Sequence, residues 1–239
     1  MTVIKRNNST VLRNKNTTYN SLIMNNKKAI VIGSTGMVGK ELLKKLIEND
    51  HYSEIISLVR RPSGIKNPKL NEHVIDFDCP ETWKELVKGD VLFSTLGTTI
   101  AKAKSKEEQF KVDFTYQYIV AKIAVENGAS TYVLVSSAGA NPSSKTFYMN
   151  MKGKLDEAVQ GLPFEYINIL RPSQLYGQRA ENRLGEKIGL SVMYSLNKIG
   201  LLKRYKPIKD TKVAKAMIHA ARKTHSAIYT LEEVYELAK

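Results

Sequence analysis

The stretch KAIVIGSTGMVGKELLKKL, residues 28–46, holds a short β-branched run, then glycines at 33, 36 and 39, then an apolar series at Val38, Leu42, Leu43 and Leu46. An unbroken apolar run, a glycine-rich break and a 3.6-residue period predict a buried strand, a tight turn and an amphipathic helix. Each glycine has its own reason to be there. Gly33 permits the sharp turn, Gly36 lets backbone approach a pyrophosphate, and Gly39 lets the helix pack closely on the sheet. The unpaired N–H groups of the helix's first turn, at the positive end of its dipole, favour phosphate. The whole turn, Gly33, Ser34, Thr35, Gly36, Met37, Val38 and Gly39, is therefore the expected dinucleotide cradle.

Outward from this turn the pattern repeats. The runs KAIVIG, EIISLV, EHVIDF, DVLFSTL, TYVLVSS and FEYINILR alternate with helical stretches expected near 37–49, 81–88, 105–127, 147–160 and 184–199. Such alternation predicts an α/β protein with a doubly wound parallel sheet, the Rossmann fold. Strand cores as apolar as AIVI and VLFS suit a sheet covered on both faces. A helix near 210–222, a short strand SAIYT and a last helix are expected as a short C-terminal helical extension. The 239 residues suit one domain over 27–239, with a small substrate or partner region from about 174 to 239. Residues 1–26, rich in Asn, Thr and Ser, read as a disordered basic tail. Being basic and free of acid, they also fit an organelle transit peptide. The lack of a clear amphipathic helix, with Met24 as an alternative start, favours the plain tail.

The strand ends suggest which dinucleotide. An acidic residue after the second strand would bond a ribose 2′-hydroxyl, but here the segment reads SLVRRPSG. Arg60 and Arg61 stand in its place, and guanidinium groups suit a 2′-phosphate through charge-assisted bonds, so NADP(H) is the expected cofactor. Asp76 could accept from an adenine amino group while Phe77 packs on its ring, and Leu96, Gly97 and Thr98 end the fourth strand at the same crevice. Loop-forming Ser, Thr and Gly have an equally simple turn reading.

Tyr followed four positions later by Lys places both side chains on one helix face, and the pattern occurs at Tyr118, Tyr148, Tyr194, Tyr205 and Tyr235. Position must choose among them. Tyr205 has Pro207 before its lysine, Tyr118 precedes the fifth strand, and Tyr194 and Tyr235 follow the sixth. Tyr148/Lys152 alone follows a strand ending at the crevice, in Ser136-Ser137. A free tyrosine hydroxyl, with a pKa near 10, exchanges protons poorly at neutral pH, and a nearby ammonium favours the phenolate. Tyr148 fits an acid/base, Lys152 its electrostatic partner and a ribose ligand, and Ser137 a carbonyl-orienting donor.

Taken together, GSTGMVG, LVRRP, DF at 76–77, STLGTT, LVSSAGA, YMNMK and LRPSQLYG resemble an atypical, extended-type short-chain dehydrogenase/reductase over residues 28 to about 222. The run from STLGTTIAKAKS through SSAGANPSSKTFYMNMKG is similar to the subgroup typified by the Tat-interacting tumour-suppressor oxidoreductase of animals. The resemblance implies NADPH binding, a catalytic set of Ser137, Tyr148 and Lys152, and Arg171, Pro172 and Ser173 beside the nicotinamide. The family's usual Asn on the helix after the fourth strand has no match in KVDFTYQYIVAK, where Asp113 and Tyr116 are given no role.

The net charge of +14 resembles a nucleic-acid signature until it is placed along the chain. The excess belongs to the two ends, and the segment KRYKPIKDTKVAK reads first as a solvated face, so no specific nucleic acid is expected. His51, His73, His219 and His225 show no ligand spacing with Cys79, and no metal is expected. One cysteine and no long apolar run suggest a cytoplasmic protein without a membrane span. Two functions follow: an NADP(H)-dependent oxidoreductase acting on a small carbonyl or alcohol, or an NADP(H)-binding regulatory protein with little turnover. A small-molecule substrate and a second copy of the chain, forming a homodimer, are the candidate partners.

Overall fold

The computed structural model describes residues 27–177 and 206–239. The tail at 1–26 and the helix expected at 184–199 lie outside the described residues. Seven strands, β1 (Lys27–Ile32), β2 (Tyr52–Val59), β3 (Leu70–Val74), β4 (Val91–Ser94), β5 (Thr131–Val135), β6 (Tyr166–Arg171) and β9 (Ala227–Thr230), form one parallel sheet. Their order is β3-β2-β1-β4-β5-β6-β9. The direction of winding reverses between β1 and β4, and a crevice opens there at the carboxyl ends of the strands. A two-stranded parallel ribbon of β7 (Leu175–Tyr176) and β8 (Ile208–Lys209) stands apart from the sheet.

The helices cover both faces because their apolar stripes demand it. Helix α1 (Met37–Ile47) buries Val38, Leu42, Leu43 and Leu46. It shares one core layer with Val213 and Met217 of α6 (Asp210–Ala220) and Val234 of α7 (Glu232–Leu237). The opposite layer joins Trp83, Val120, Ala124 and Leu155 to the other side of the strands. Helix α5 (Phe147–Gln160) occupies the range that its sequence predicts.

Two departures have local causes, and one expected helix carries a π turn. Instead of a helix over 81–88, two short 3₁₀ turns (Pro80–Thr82 and Lys84–Leu86) flank Trp83, whose Nε1 donates to Asp76 O at 2.7 Å. The third strand stops at Val74 because Asp76 and Phe77 curl into the turn that receives Trp83. The long helix expected over 105–127 runs from 106 to 126 as α3 (Lys106–Phe110), a π turn (Lys111–Thr115) and α4 (Tyr116–Glu126), and a separate short helix, α2 (Ile100–Ala103), precedes it.

Candidate functional site

The glycine turn is built against the loop after β4. Gly33 has φ +79, and a Cβ there would lie 2.5 Å from Thr95 C, so both backbone shape and space require glycine. Thr95 donates twice to Ile32 O, from its N–H at 3.0 Å and its hydroxyl at 2.9 Å, which fixes the two loops at the winding reversal. A Cβ on Gly39 would meet Gly33 O at 2.1 Å. Gly36 caps α1 with no side-chain bond, and no acidic residue stands in the first turn. The cradle thus presents bare backbone N–H groups, which fits a dinucleotide pyrophosphate. Ser34 is turned inward and shares a 2.7 Å hydrogen bond with Ser57.

Around the cradle, Arg60 and Arg61 are exposed just past β2, and among the described residues neither has an ion-pair partner. Asp76 is exposed, but its Oδ1 accepts from Asp78 N. Phe77 is 4% exposed, its ring stacked on Tyr116 with centroids 5.1 Å apart and packed beside Trp83. Tyr116 in turn donates to Asp78 Oδ1 at 2.9 Å, and Lys111 pairs with Asp78 Oδ2 at 2.7 Å. Hydrogen bonding from Lys111 holds the Asp78 carboxyl below its ordinary range.

The loop after β5 carries Ser137, partly exposed, with only a long 3.4 Å contact from its hydroxyl to Ala138 O. Residues 138–146 fold back onto α5, where Asn141 N donates to Met149 O at 3.0 Å. A Cβ on Gly153 would lie 2.2 Å from Asn141 C, so the loop and helix are in backbone contact. Tyr148 stands at the open start of α5, 38% exposed. One turn on, Lys152 is only 3% exposed and its Nζ lies 3.0 Å from Asp113 Oδ1. Burial pulls the lysine down, but the Asp113 carboxylate, the Tyr148 oxygen and Asp156 outweigh it and hold the ammonium above its ordinary range.

The end of β6 and the residues after it act on their neighbours. Arg171 Nε donates to Asp156 Oδ2 at 2.8 Å, Pro172 O accepts from Ala138 N at 2.9 Å, and the Ser173 hydroxyl bonds Lys206 O. The first of these contacts ties β6 to α5 and the second ties it to the Ser137 loop. Asp113 is the residue that spacing arguments missed. A signal was present: Gln109, Asp113 and Gln117 form a polar row at four-residue spacing, and all three are buried. Among the described residues no cluster of three His, Cys, Asp or Glu could hold a metal, and no helix is long and apolar enough to cross a membrane.

A dinucleotide cradle at the winding reversal of a parallel sheet defines a nucleotide-cofactor protein, and the family comparison agrees. The profile described as NAD(P)H-binding matches residues 33–224, and the chain belongs to that family. It is 36% identical over 199 residues to the protein called FMP52, mitochondrial, of Candida albicans, covering 81% of this chain and 87% of that protein. A Saccharomyces cerevisiae protein of the same name is 35% identical over 158 residues, covering 64% and 68%. Among solved structures the fold is shared with Helicobacter pylori ADP-L-glycero-D-manno-heptose-6-epimerase (TM-score 0.66, 18% identity, 87% of this chain and 77% of that one). It is shared equally with MoeE5 in complex with UDP-glucuronic acid and NAD (TM-score 0.67, 16% identity, 85% and 76%). The relatives' names overturn the cytoplasmic expectation. Cysteine count and apolar run length do not distinguish one reducing compartment from another, so they gave no basis for choosing the cytoplasm.

Proposed function

We propose that the protein is a mitochondrial NADP(H)-dependent oxidoreductase of the short-chain dehydrogenase/reductase type, acting on a small carbonyl or alcohol. The observation that carries this reading is the placing of Tyr148 and Lys152 on α5, beside the β5 loop and at the same sheet edge as the Gly33 cradle. In this reading Arg60 and Arg61 hold a 2′-phosphate, the Gly33–Gly39 turn holds the pyrophosphate, and the loop Leu96-Gly97-Thr98 lies along the dinucleotide. NADPH, when bound, supplies the hydride. Tyr148 exchanges a proton at its hydroxyl oxygen, Ser137 orients the carbonyl, and Lys152 supplies positive charge behind the tyrosine. In the same reading the region from about 174 to 239 is assigned to substrate or partner binding. The motif run shared with the Tat-interacting oxidoreductase subgroup supports the same branch.

The test is a calorimetric titration with NADPH and NADH, followed by a carbonyl panel read by NADPH consumption. Tight NADPH binding with turnover that Tyr148→Phe abolishes is the expected result. A second reading, a cofactor-loaded regulatory protein, is favoured by one feature: the Lys152 charge is already paired with Asp113. Saturable NADPH binding without turnover on any panel member would select it.

A further inference from the structure

Gln109, Asp113 and Gln117 all reach β4 or the loop that follows it. Gln109 Nε2 donates to Thr98 O at 3.3 Å, and Asp113 Oδ2 accepts from Thr98 N at 2.8 Å. Ser94 Oγ donates to Gln117 Oε1 at 2.6 Å, and Gln117 Nε2 donates to Asp113 O at 2.6 Å inside the π turn. The other oxygen of Asp113 faces Lys152 Nζ. One carboxylate, 1% exposed, therefore ties the loop that borders the cradle to the lysine of α5.

A lysine buried to this degree sheds its proton unless a charge faces it. Among the described residues the charged and titratable groups around Lys152 are few. Asp113 approaches from the π turn, Tyr148 and Asp156 from its own helix, and Arg171 from β6, its guanidinium joined to Asp156. Because Asp156 is shared with Arg171, Asp113 is the one carboxylate among them in direct contact with the ammonium. We propose that Asp113 is a positioning residue that keeps Lys152 charged and fixed beside Tyr148, so that the site retains its cation at alkaline pH. The consequence for cofactor binding rests on the NADP(H) reading above, whereas the ion pair itself does not.

Two readouts separate these parts. In the full chain labelled with ¹³C at the lysine ε-carbon, the Lys152 resonance is assigned by its loss in Lys152→Arg and followed against pH. The unmodified chain should titrate above 10.5, Asp113→Asn should titrate about 1 to 3 pH units lower, and Asp113→Glu should recover most of the difference. An unchanged midpoint in Asp113→Asn overturns the proposal, and so does a neutral amine at pH 9 in the unmodified chain, a test that needs no variant to fold. NADPH affinity is then measured at pH 7 and 9.5. Asp113→Asn should bind nearly as the unmodified chain does at pH 7 and more weakly at 9.5, by about twofold for a one-unit drop in the Lys152 midpoint and about tenfold for a two-unit drop. An equal loss at both values means a merely structural role and refutes the positioning claim. A shifted Lys152 in a chain that never binds NADPH would uphold the ion pair and refute the cofactor reading instead.

Discussion

Gly33 and Gly36 share one turn, yet an added methyl group meets different things at each. At Gly33 it would strike Thr95 backbone at 2.5 Å from a positive φ, so Gly33→Ala should cost about 2 kcal/mol or more in urea unfolding and lose NADPH binding as well. At Gly36 the backbone has φ −76 and the nearest atom, Gly33 O, is 3.1 Å away. Gly36→Ala should lose clearly less stability than Gly33→Ala but bind NADPH at least about tenfold more weakly, since the glycine is where backbone must approach the pyrophosphate. Unchanged NADPH affinity in Gly36→Ala would refute the cradle assignment. Arg60 and Arg61 offer a third measurement. Both are exposed, so replacing both with Ala should leave stability alone and erase most of the preference for NADPH over NADH, at about 1.5 to 3 kcal/mol for each well-formed contact. Equal affinity of the unmodified chain for the two cofactors would end that reading.

Among the elements, α5 carries the most and tolerates the least. Gly153 faces the Asn141–Pro142 backbone, and Gly153→Ala must push the helix away from the Ser137 loop. Unfolding stability should fall by about 1 to 3 kcal/mol, with turnover lost by a larger factor than NADPH affinity, because Tyr148 moves relative to Ser137 while the cradle stays in place. Unchanged stability and turnover would show that loop and helix are not in register contact. The range of α5 was legible because Phe147–Gln160 keeps an apolar stripe through Met151, Leu155 and Val159. The turn at Gly33 was legible for the same kind of reason: sequence-local spacing dictates it. What could not be read was contact between distant segments. Asp113 and Lys152 are separated by a helix, a strand and two loops, and nothing local marks the π turn that aims one at the other. Residues 81–88 misled for a related reason, since their apolar spacing looks helical while Trp83 is held by the Asp76 carbonyl from the neighbouring turn.

At the scale of the whole molecule the uneven charge can be tested for a use. Lys5, Arg6, Arg13 and Lys15 face no acidic residue in the first 26 positions, whereas the body that carries the fold mixes both signs. A positive segment drawn toward a negative-inside compartment gains about 2.3 kcal/mol per charge for each 100 mV, so a short basic leader responds strongly to a membrane potential. Relatives named as mitochondrial make this the segment to test. The full chain, synthesised with a radiolabel and offered to isolated mitochondria, should become protease-protected, and an uncoupler should abolish that protection. A chain begun at Met24 should stay outside yet bind NADPH with unchanged affinity, because the matched family region starts at Gly33 and the first strand at Lys27. Equal import of both chains would show that the address lies within the folded domain, and weakened NADPH binding by the shorter one would show that the leader also supports the cofactor site.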